Sequence, residues 1–342
     1  MTATAPAGRG LDRQTLVVAG VVVLGAIMSI LDSTIVNVAL DSLSRDLDAP
    51  LSTIQWVTTG YLLSLAIVIP LSGWFSERFG SKRVWLLSVA LFGLGSVLCG
   101  LAPSAGALIA FRVLQGLGGG MILPVGQSVT AQTAGPGRLG RVMSVIGVPM
   151  LLAPVLGPVL GGLIVGGASW RWIFFVNVPI VIAGLGLGVR LLPGGIGRAD
   201  PGRLDWLGVA LLCPGMAAIV FGLSEIERHD GLSQPIAFLP ILAGVMLIAL
   251  FGRHRLRVPR PLIEMRLFRS RHLAAAGVTA FVLGAAMFGV MLVVPLYYQA
   301  ARGQDVLATA WRPFRSRSSE RTRRRSFCIA SSSSAGSGSA SR

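Results

Sequence analysis

Residues Thr15–Val38 read TLVVAGVVVLGAIMSILDSTIVNV, an apolar stretch of 24 residues holding one acid, Asp32, and one side-chain amide, Asn37. As a helix, about 20 mainly apolar residues cover the hydrocarbon core of a bilayer, so this stretch is long enough to cross. A basic start followed by apolar residues can instead be a cleaved signal peptide. This run is too long for a signal core, carries two polar side chains, and is followed by eight more of its kind. Those eight are Ser52–Gly73, Val84–Ala102, Ala105–Gln127, Leu139–Val165, Trp172–Leu192, Leu204–Ser224, Pro235–Gly252 and Leu273–Tyr298. The fifth span is long and interrupted by prolines, and the eighth is short.

Composition agrees. Of 342 residues, 53% are hydrophobic and 13% charged, against about 25% charged in an ordinary soluble domain. Mean hydropathy is +0.72. So few charges cannot cover a water-soluble core of this size, which excludes a cytosolic enzyme, a secreted disulfide scaffold and a disordered protein. The sequence predicts an all-α polytopic membrane protein.

The net charge of +16 raises the question of a nucleic-acid partner. Its distribution answers against one. Trp311–Arg342 alone holds eight arginines against one acid, Glu320, and most of the other bases sit in short loops between apolar runs. Alternate loops differ in sign. One set carries Arg9 and Arg13; Arg78, Lys82 and Arg83; Arg138 and Arg141; Arg190, Arg198 and Arg203; and seven arginines between Arg253 and Arg271. The other carries Arg45, Arg171 and Arg228 beside Asp41, Asp46, Asp48, Glu225, Glu227 and Asp230. Basic loops stay on the cytoplasmic side, so the N-terminus is expected inside, and nine spans place whatever follows Tyr298 outside. Cys99, Cys213 and Cys328 have neither metal nor disulfide spacing, and His229, His254 and His272 fall in predicted loops. Cys99 and Cys213 read as small packing residues.

Within this frame, Asp32 stands near the outer end of the first span in Leu31-Asp32-Ser33-Thr34-Ile35-Val36-Asn37-Val38-Ala39-Leu40. A carboxylate there costs about 2.5–3.5 kcal/mol to insert and must face a cavity or a partner rather than lipid. Burial disfavours its charged form, which makes Asp32 an expected reversible proton carrier. Between spans two and three lies Gly73-Trp74-Phe75-Ser76-Glu77-Arg78-Phe79-Gly80-Ser81-Lys82-Arg83. Gly73 and Gly80 permit close helix approach and a tight turn, and Glu77, Arg78, Lys82 and Arg83 can pair with neighbouring helix ends. Span four contains Arg112-Val113-Leu114-Gln115-Gly116-Leu117-Gly118-Gly119-Gly120. The glycines do not cradle a phosphate, because no strand precedes them and no Lys-Ser/Thr pair follows. Gly116 and Gly120, four apart, let helix backbones approach. Arg112, inside an apolar span, is a functional candidate by cost alone. At 1.5 Å rise per residue, Asp32 and Arg112 both lie roughly 10 Å below the outer edge of their spans, with Gln115 one turn deeper than Arg112 on the same face. Span five carries Ala153-Pro154-Val155-Leu156-Gly157-Pro158-Val159-Leu160-Gly161-Gly162, in which Pro158 removes a helix hydrogen bond and Gly157 and Gly161 offer a smooth face. Span six opens with Trp170-Arg171-Trp172-Ile173-Phe174-Phe175-Val176-Asn177-Val178-Pro179, its aromatics placed to anchor at an interface.

Together these motifs resemble the major facilitator superfamily, in particular its fourteen-span drug:proton antiporters. Asp41 stands where that subfamily's first signature usually has Pro; in the loop after span two, Glu77 replaces the usual Asp and Ser81 a usual Arg. The resemblance covers about residues 12 to 309. It implies a major facilitator-type bundle: a cytoplasmic N-terminus (1–14), a complete six-helix domain (15–192), two extra linker spans (193–252), and a cytoplasmic loop with the first helix of an incomplete second domain (253–310). It further implies that Asp32 couples protons with Arg112 tuning it, that Asn37 and Gln115 line a substrate cavity, and that Gly73, Glu77, Arg78, Gly80, Lys82 and Arg83 latch one conformation. Pro154, Gly157, Pro158, Gly161 and Gly162 match the antiporter helix motif.

The expected function is proton-coupled efflux of drugs or other small apolar or cationic compounds across the plasma membrane. Its partners are the bilayer, the substrate and protons, its energy source is the proton gradient with no other cofactor, and no enzymatic constellation appears. A metabolite transporter of the same fold is an alternative, since fold does not fix substrate. From Trp311 the chain turns to Arg and Ser, which make nineteen of the last 32 residues and cannot build a packed core. A disordered, out-of-frame tail on a truncated transporter is the expectation for 311–342, with a regulatory or anionic-surface tail as the alternative. A transport-incompetent fragment needing a partner chain is the other reading. Oligomeric state is left open.

Overall fold

The computed structural model describes residues 12–194, 204–228, 235–255 and 275–284, with residue 286. Among them there is helix and no strand. The elements are α1 (Arg13–Asp46), α2 (Leu51–Val68), α3 (Ser72–Phe79), α4 (Ser81–Gly100), α5 (Ala105–Ala134), α6 (Leu139–Gly167), α7 (Trp172–Phe175), α8 (Asn177–Leu191), α9 (Trp206–Arg228) and α10 (Pro235–Arg255). A short apolar helix, α11 (Ala275–Gly284), lies in a second compact unit that begins at Arg266. Among the described residues of the first unit, eight helical stretches are long and apolar enough to cross a membrane, and they match the first eight predicted spans. Of the ninth span, Leu273–Tyr298, only α11 and residue 286 are described. The tail from Trp311, the loop arginines between 256 and 271, His229, His272 and Cys328 lie outside the described residues.

Chemistry sets the helix ends and breaks. Ser104 caps α5 by accepting from the Ala107 amide at 3.3 Å, and Gly135 ends it at φ +72°, a backbone state that glycine adopts without a Cβ penalty. Gly80, at φ +87°, makes the corner between α3 and α4. Pro70 sits in the 3-10 turn that divides span two. Pro179 has no amide proton to return to the Phe175 carbonyl, and span six accordingly breaks between α7 and α8. By contrast Pro149, Pro154 and Pro158 all lie inside the one helix α6.

Two expectations of placement are corrected. Span one does not stop near Val38, nor span four near Gln127: the helices run on to Asp46 and Ala134. Helix continues where hydrogen bonds and side-chain pairs allow, whatever the hydropathy, and the Arg45–Asp41 pair at 2.8 Å, one turn apart, decorates the polar extension of α1. His254 is not a loop residue. It sits in the last turn of α10, 3.0 Å from Asp205, whose carboxylate also receives the Gly208 amide at the start of α9.

The bundle has two chemically distinct ends. Gln14, Ser81, Lys82, Gln132, Thr133 and Pro193 come together at the basic end around a cavity of about 280 Å³. There Lys82 Nζ donates to the carbonyls of Val189 and Leu192 at 2.8 and 2.7 Å, closing the last turn of α8. At the opposite end Trp170 Nε1 donates to Asp46 (2.9 Å) and Arg171 to the Ala102 carbonyl (3.1 Å). One apolar core toward the basic end is built on Val18, Trp85, Phe92, Ile122 and Val181; another, toward the opposite end, on Ile35, Leu43, Ile54, Leu108 and Phe174. The outward faces remain apolar, as in Leu152, Val155, Ile182 and Val189, which suits contact with lipid rather than water. Helices α9 and α10 pack on each other through Gly215, Gly222 and Gly244. Through α9 they join α2, where Phe221 stacks on Trp56 at 5.8 Å.

Candidate functional site

Between the two apolar cores lies a polar cluster sealed from solvent: Asp32, Arg112 and Gln115 are 0% exposed and Asn177 is 2% exposed. The glycines of span four make this possible. A Cβ on Gly118 would meet the backbone of Phe92 and Ser88 in α4, and one on Gly116 or Gly120 would meet Tyr61, Ser64, Leu65 or Val68 in α2. With no side chains there, α4 and α2 both close onto α5. Gly95 of α4 likewise leaves room for the Gln115 backbone. The result places Arg112 and Gln115, one turn apart on α5, against Asp32 of α1.

Arg112 Nη1 donates to Asp32 Oδ2 at 2.5 Å and to Gln115 Oε1 at 2.8 Å, while its Nε donates to the Val57 carbonyl at 3.2 Å. Gln115 Nε2 donates to Asp32 Oδ1 at 3.0 Å. The guanidinium lies 4.2 Å over the Tyr61 ring and 5.6 Å from that of Phe174, a cation–π bed that offsets part of its desolvation. Its Nη2 is buried and has no hydrogen-bond partner among the described residues. Tyr61 in turn shares a hydrogen bond with Ser29 at 3.1 Å, on α1 one turn before Asp32. Cys99 Sγ donates to Gln115 Oε1 at 3.6 Å. Cys213 meets the Ile67 carbonyl at 3.1 Å, so both described cysteines are buried packing residues.

The depth match between Asp32 and Arg112 thus becomes direct contact, with Gln115 beside them. Asn37 is not part of this group. It is exposed, five residues further along α1, and accepts from Thr58 at 3.3 Å. Sequence reasoning passed over Asn177, which completes the cluster: its Nδ2 donates to Asp32 Oδ1 at 2.9 Å and to Ser96 Oγ at 3.0 Å. The available signal was a polar side chain in an apolar span, the weaker form of the signal that singled out the charged Arg112. Tyr61 and Ser96 carried no comparable mark.

Of the loop after span two, Gly80 makes the corner, Lys82 caps α8 as described, Arg78 and Arg83 are exposed, Glu77 is exposed at the end of α3, and Gly73 has open space about its Cα. In span five, Gly157 and Gly161 face α1. A Cβ on Gly157 would collide with the Thr34 hydroxyl, and one on Gly161 would sit 3.0 Å from the Ile35 carbonyl. Pro154, Pro158 and Gly162 lie half-buried beside them. That motif therefore packs against the turn of α1 that follows Asp32.

A polytopic helical bundle with a charge pair sealed in its interior defines a membrane protein built to hold charge away from both water and lipid. Residues 22–314 match the Major Facilitator Superfamily. The chain belongs to that superfamily, a family of multi-pass membrane transporters and not of enzymes. It is 44% identical over 296 residues to a Mycobacterium tuberculosis protein named multidrug resistance protein B homolog, covering 86% of this chain and 55% of that one. It is 32% identical over 280 residues to the multidrug export protein EmrB of Escherichia coli, covering 82% and 55%. The chain spans about half the length of these relatives. Among solved structures, the proton:xylose symporter XylE superposes with a TM-score of 0.57 at 14% identity over 88% of this chain and 66% of that one, a likeness of fold alone.

Proposed function

We propose that the chain serves proton-coupled efflux of small apolar or cationic compounds across the plasma membrane, with its basic end and N-terminus in the cytoplasm. Asp32 carries the proton, Arg112 sets when it is taken up, and the proton gradient supplies the energy. The observation that carries this reading is the sealed Asp32–Arg112 pair. A buried ion pair is a weak source of stability, and replacing one by apolar residues is often neutral or favourable; charge kept at such a place in a membrane helix points to use. Three N–H donors satisfy the ionised carboxylate. A proton arriving on it cancels the attraction for the guanidinium and frees the contact between α1 and α5, the kind of bistable joint that alternating access requires. Gln115 travels with Arg112, and the loop from Gly73 to Arg83 latches the basic end, Lys82 tying α4 to α8. The names of the relatives support drugs as the substrate class.

The test is dye efflux in everted membrane vesicles containing this chain, with expression verified. Respiration should drive accumulation of a lipophilic cationic dye in the vesicle lumen. Asp32→Asn, which keeps shape and removes the titratable group, should abolish it. Undiminished accumulation by Asp32→Asn would refute the assignment of the proton to Asp32.

A further inference from the structure

Among the described residues, every hydrogen bond at the Asp32 carboxylate is donated to it. Oδ2 accepts from Arg112, and Oδ1 accepts from Gln115 Nε2 and Asn177 Nδ2. An ionised carboxylate, which can only accept, is satisfied there. A protonated one is not, because its new O–H needs an acceptor in a place sealed from solvent, and a buried donor without one is costly. One neighbour must therefore change role. Arg112 has no acceptor to offer. Gln115 is locked: its Oε1 receives Arg112 Nη1 at 2.8 Å and Cys99 Sγ at 3.6 Å, and turning its amide would set N–H against N–H.

Asn177 is not locked in this way. The Ser96 hydroxyl has a single proton, which it donates to the Phe174 carbonyl at 2.9 Å, so toward Asn177 it can only accept, and the Asn177 amide must present Nδ2 to it and to Asp32 alike. The hydrogen-bond network thus fixes the orientation of the amide. It also makes the orientation conditional. If Asn177 turns over, its Oδ1 takes the place of Nδ2, accepts the new proton of Asp32, and accepts the Ser96 hydroxyl once that rotates away from Phe174. We infer that Asn177 is a positioning residue for the proton-carrying carboxylate, a reversible amide that donates to Asp32 when it is ionised and accepts from it when it is protonated.

In the step, the incoming proton bonds to Asp32 Oδ1, the Asn177 N–H bond to that oxygen is lost, and an O–H bond to Asn177 Oδ1 replaces it. The Ser96 proton moves from one acceptor to another, and no covalent bond breaks. The Phe174 carbonyl, in α7 just before the break in span six, loses the Ser96 hydroxyl. The charge on α1 is thereby communicated to the segment whose Trp170 and Arg171 tie down the opposite end of the bundle. The other titratable groups about the carboxylate are Arg112 from α5, Tyr61 from α2 and Cys99 from α4. Arg141 of α6 and Arg190 of α8 stand roughly 20 Å or more away along their helices at 1.5 Å per residue.

This inference rests on Asp32 being the proton carrier, and the test separates the two. The chain contains two asparagines, Asn37 and Asn177. The whole chain, made with asparagine carrying carbon-13 in its side-chain amide and reconstituted in lipid vesicles, is followed by infrared difference spectroscopy as pH is lowered. A protonated-carboxyl band that vanishes in Asp32→Asn reports proton uptake. With it, one labelled amide carbonyl band should shift to lower frequency as that carbonyl begins to accept. The shift should persist in Asn37→Gln and disappear in Asp32→Ala, which removes the carboxyl without adding a third labelled asparagine. If Asn37→Gln does not fold, movement of one component of the two-band envelope and stillness of the other serves the same purpose. A carboxyl band that titrates while the labelled band stays still or moves to higher frequency overturns the role of Asn177 and leaves Asp32 as carrier. Absence of any titrating Asp32 band overturns both.

Discussion

Arg112 is held by geometry as much as by charge: two hydrogens of one nitrogen serve Asp32 and Gln115, Nε reaches the Val57 carbonyl, and the planar face lies on Tyr61. Lysine offers a point charge without the fork or the plane. Arg112→Lys should therefore behave as a loss rather than as a conservative change, with transport reduced nearly as far as in Arg112→Ala. For stability, Arg112→Ala strands a buried carboxylate and should cost about 3–5 kcal/mol, while Asp32→Asn in the same background should recover much of it, because no uncompensated charge then remains. Thermal unfolding of the four members of this double-mutant cycle in detergent measures the coupling; additive losses would show that the two residues do not act as a pair. The pair was legible in the sequence because a charge in an apolar run is costly wherever it stands, and span arithmetic put both at one depth. Tyr61 and Ser96 were not legible, since a tyrosine or serine in a membrane helix is ordinary until its neighbours are known. Asn37, in the same signature stretch but five residues beyond Asp32, lies on another face of α1, exposed and bonded to Thr58, and so stands apart from the cluster.

The glycines decide which helices meet. Gly157 and Gly161 bring α6 onto α1 beside Thr34 and Ile35, whereas Gly166, nine residues beyond Gly157, has open space around it. Gly157→Ala should overpack the α1–α6 contact and cost about 1–3 kcal/mol, lowering the unfolding temperature, and Thr34→Ala should return part of the loss by removing the atom struck first. Gly166→Ala, in the same helix, should be neutral. Equal effects at the two positions would mean that helix propensity, not contact, governs α6. At this scale the sequence was read well for which segments are helical and less well for where they end. Apolar periodicity stops at the hydrocarbon boundary, while backbone hydrogen bonds carry α1 on through Asp41 and Arg45 to Asp46. The prolines of span five were expected to interrupt it, yet α6 runs through all three, whereas Pro70 and Pro179 coincide with the breaks in spans two and six. Inside α6 three lost amide donors are tolerated in a single helix; near the start of α8, one lost donor coincides with the turn between α7 and α8.

Across the described helices of the first unit, charge sorts by end. Arg13, Lys82, Arg83, Arg138, Arg141 and Arg190 mark one end, and Asp41, Asp46 and Asp48 the other. Asp32 lies fourteen residues from the acidic end of α1 and nineteen from its basic end, roughly 20 Å and 30 Å at helical rise. If basic loops are retained in the cytoplasm, the nearer end of α1 faces outward, the side from which the proposed export would draw its protons. The opposite insertion would give the same buried pair and the reverse direction of coupling, so orientation is the point on which direction turns. Single cysteines decide it. Leu51→Cys lies at the start of α2 at the acidic end, half-exposed, and Gly137→Cys lies at the basic end, where a Cβ meets nothing. Cys99 and Cys213 are buried, and Cys328→Ser removes the remaining thiol. In intact cells an impermeant maleimide should label Leu51→Cys and spare Gly137→Cys, which should react only after lysis. The reverse pattern would invert the proposed direction, and equal labelling of both before lysis would mean that the bundle does not cross the membrane at all.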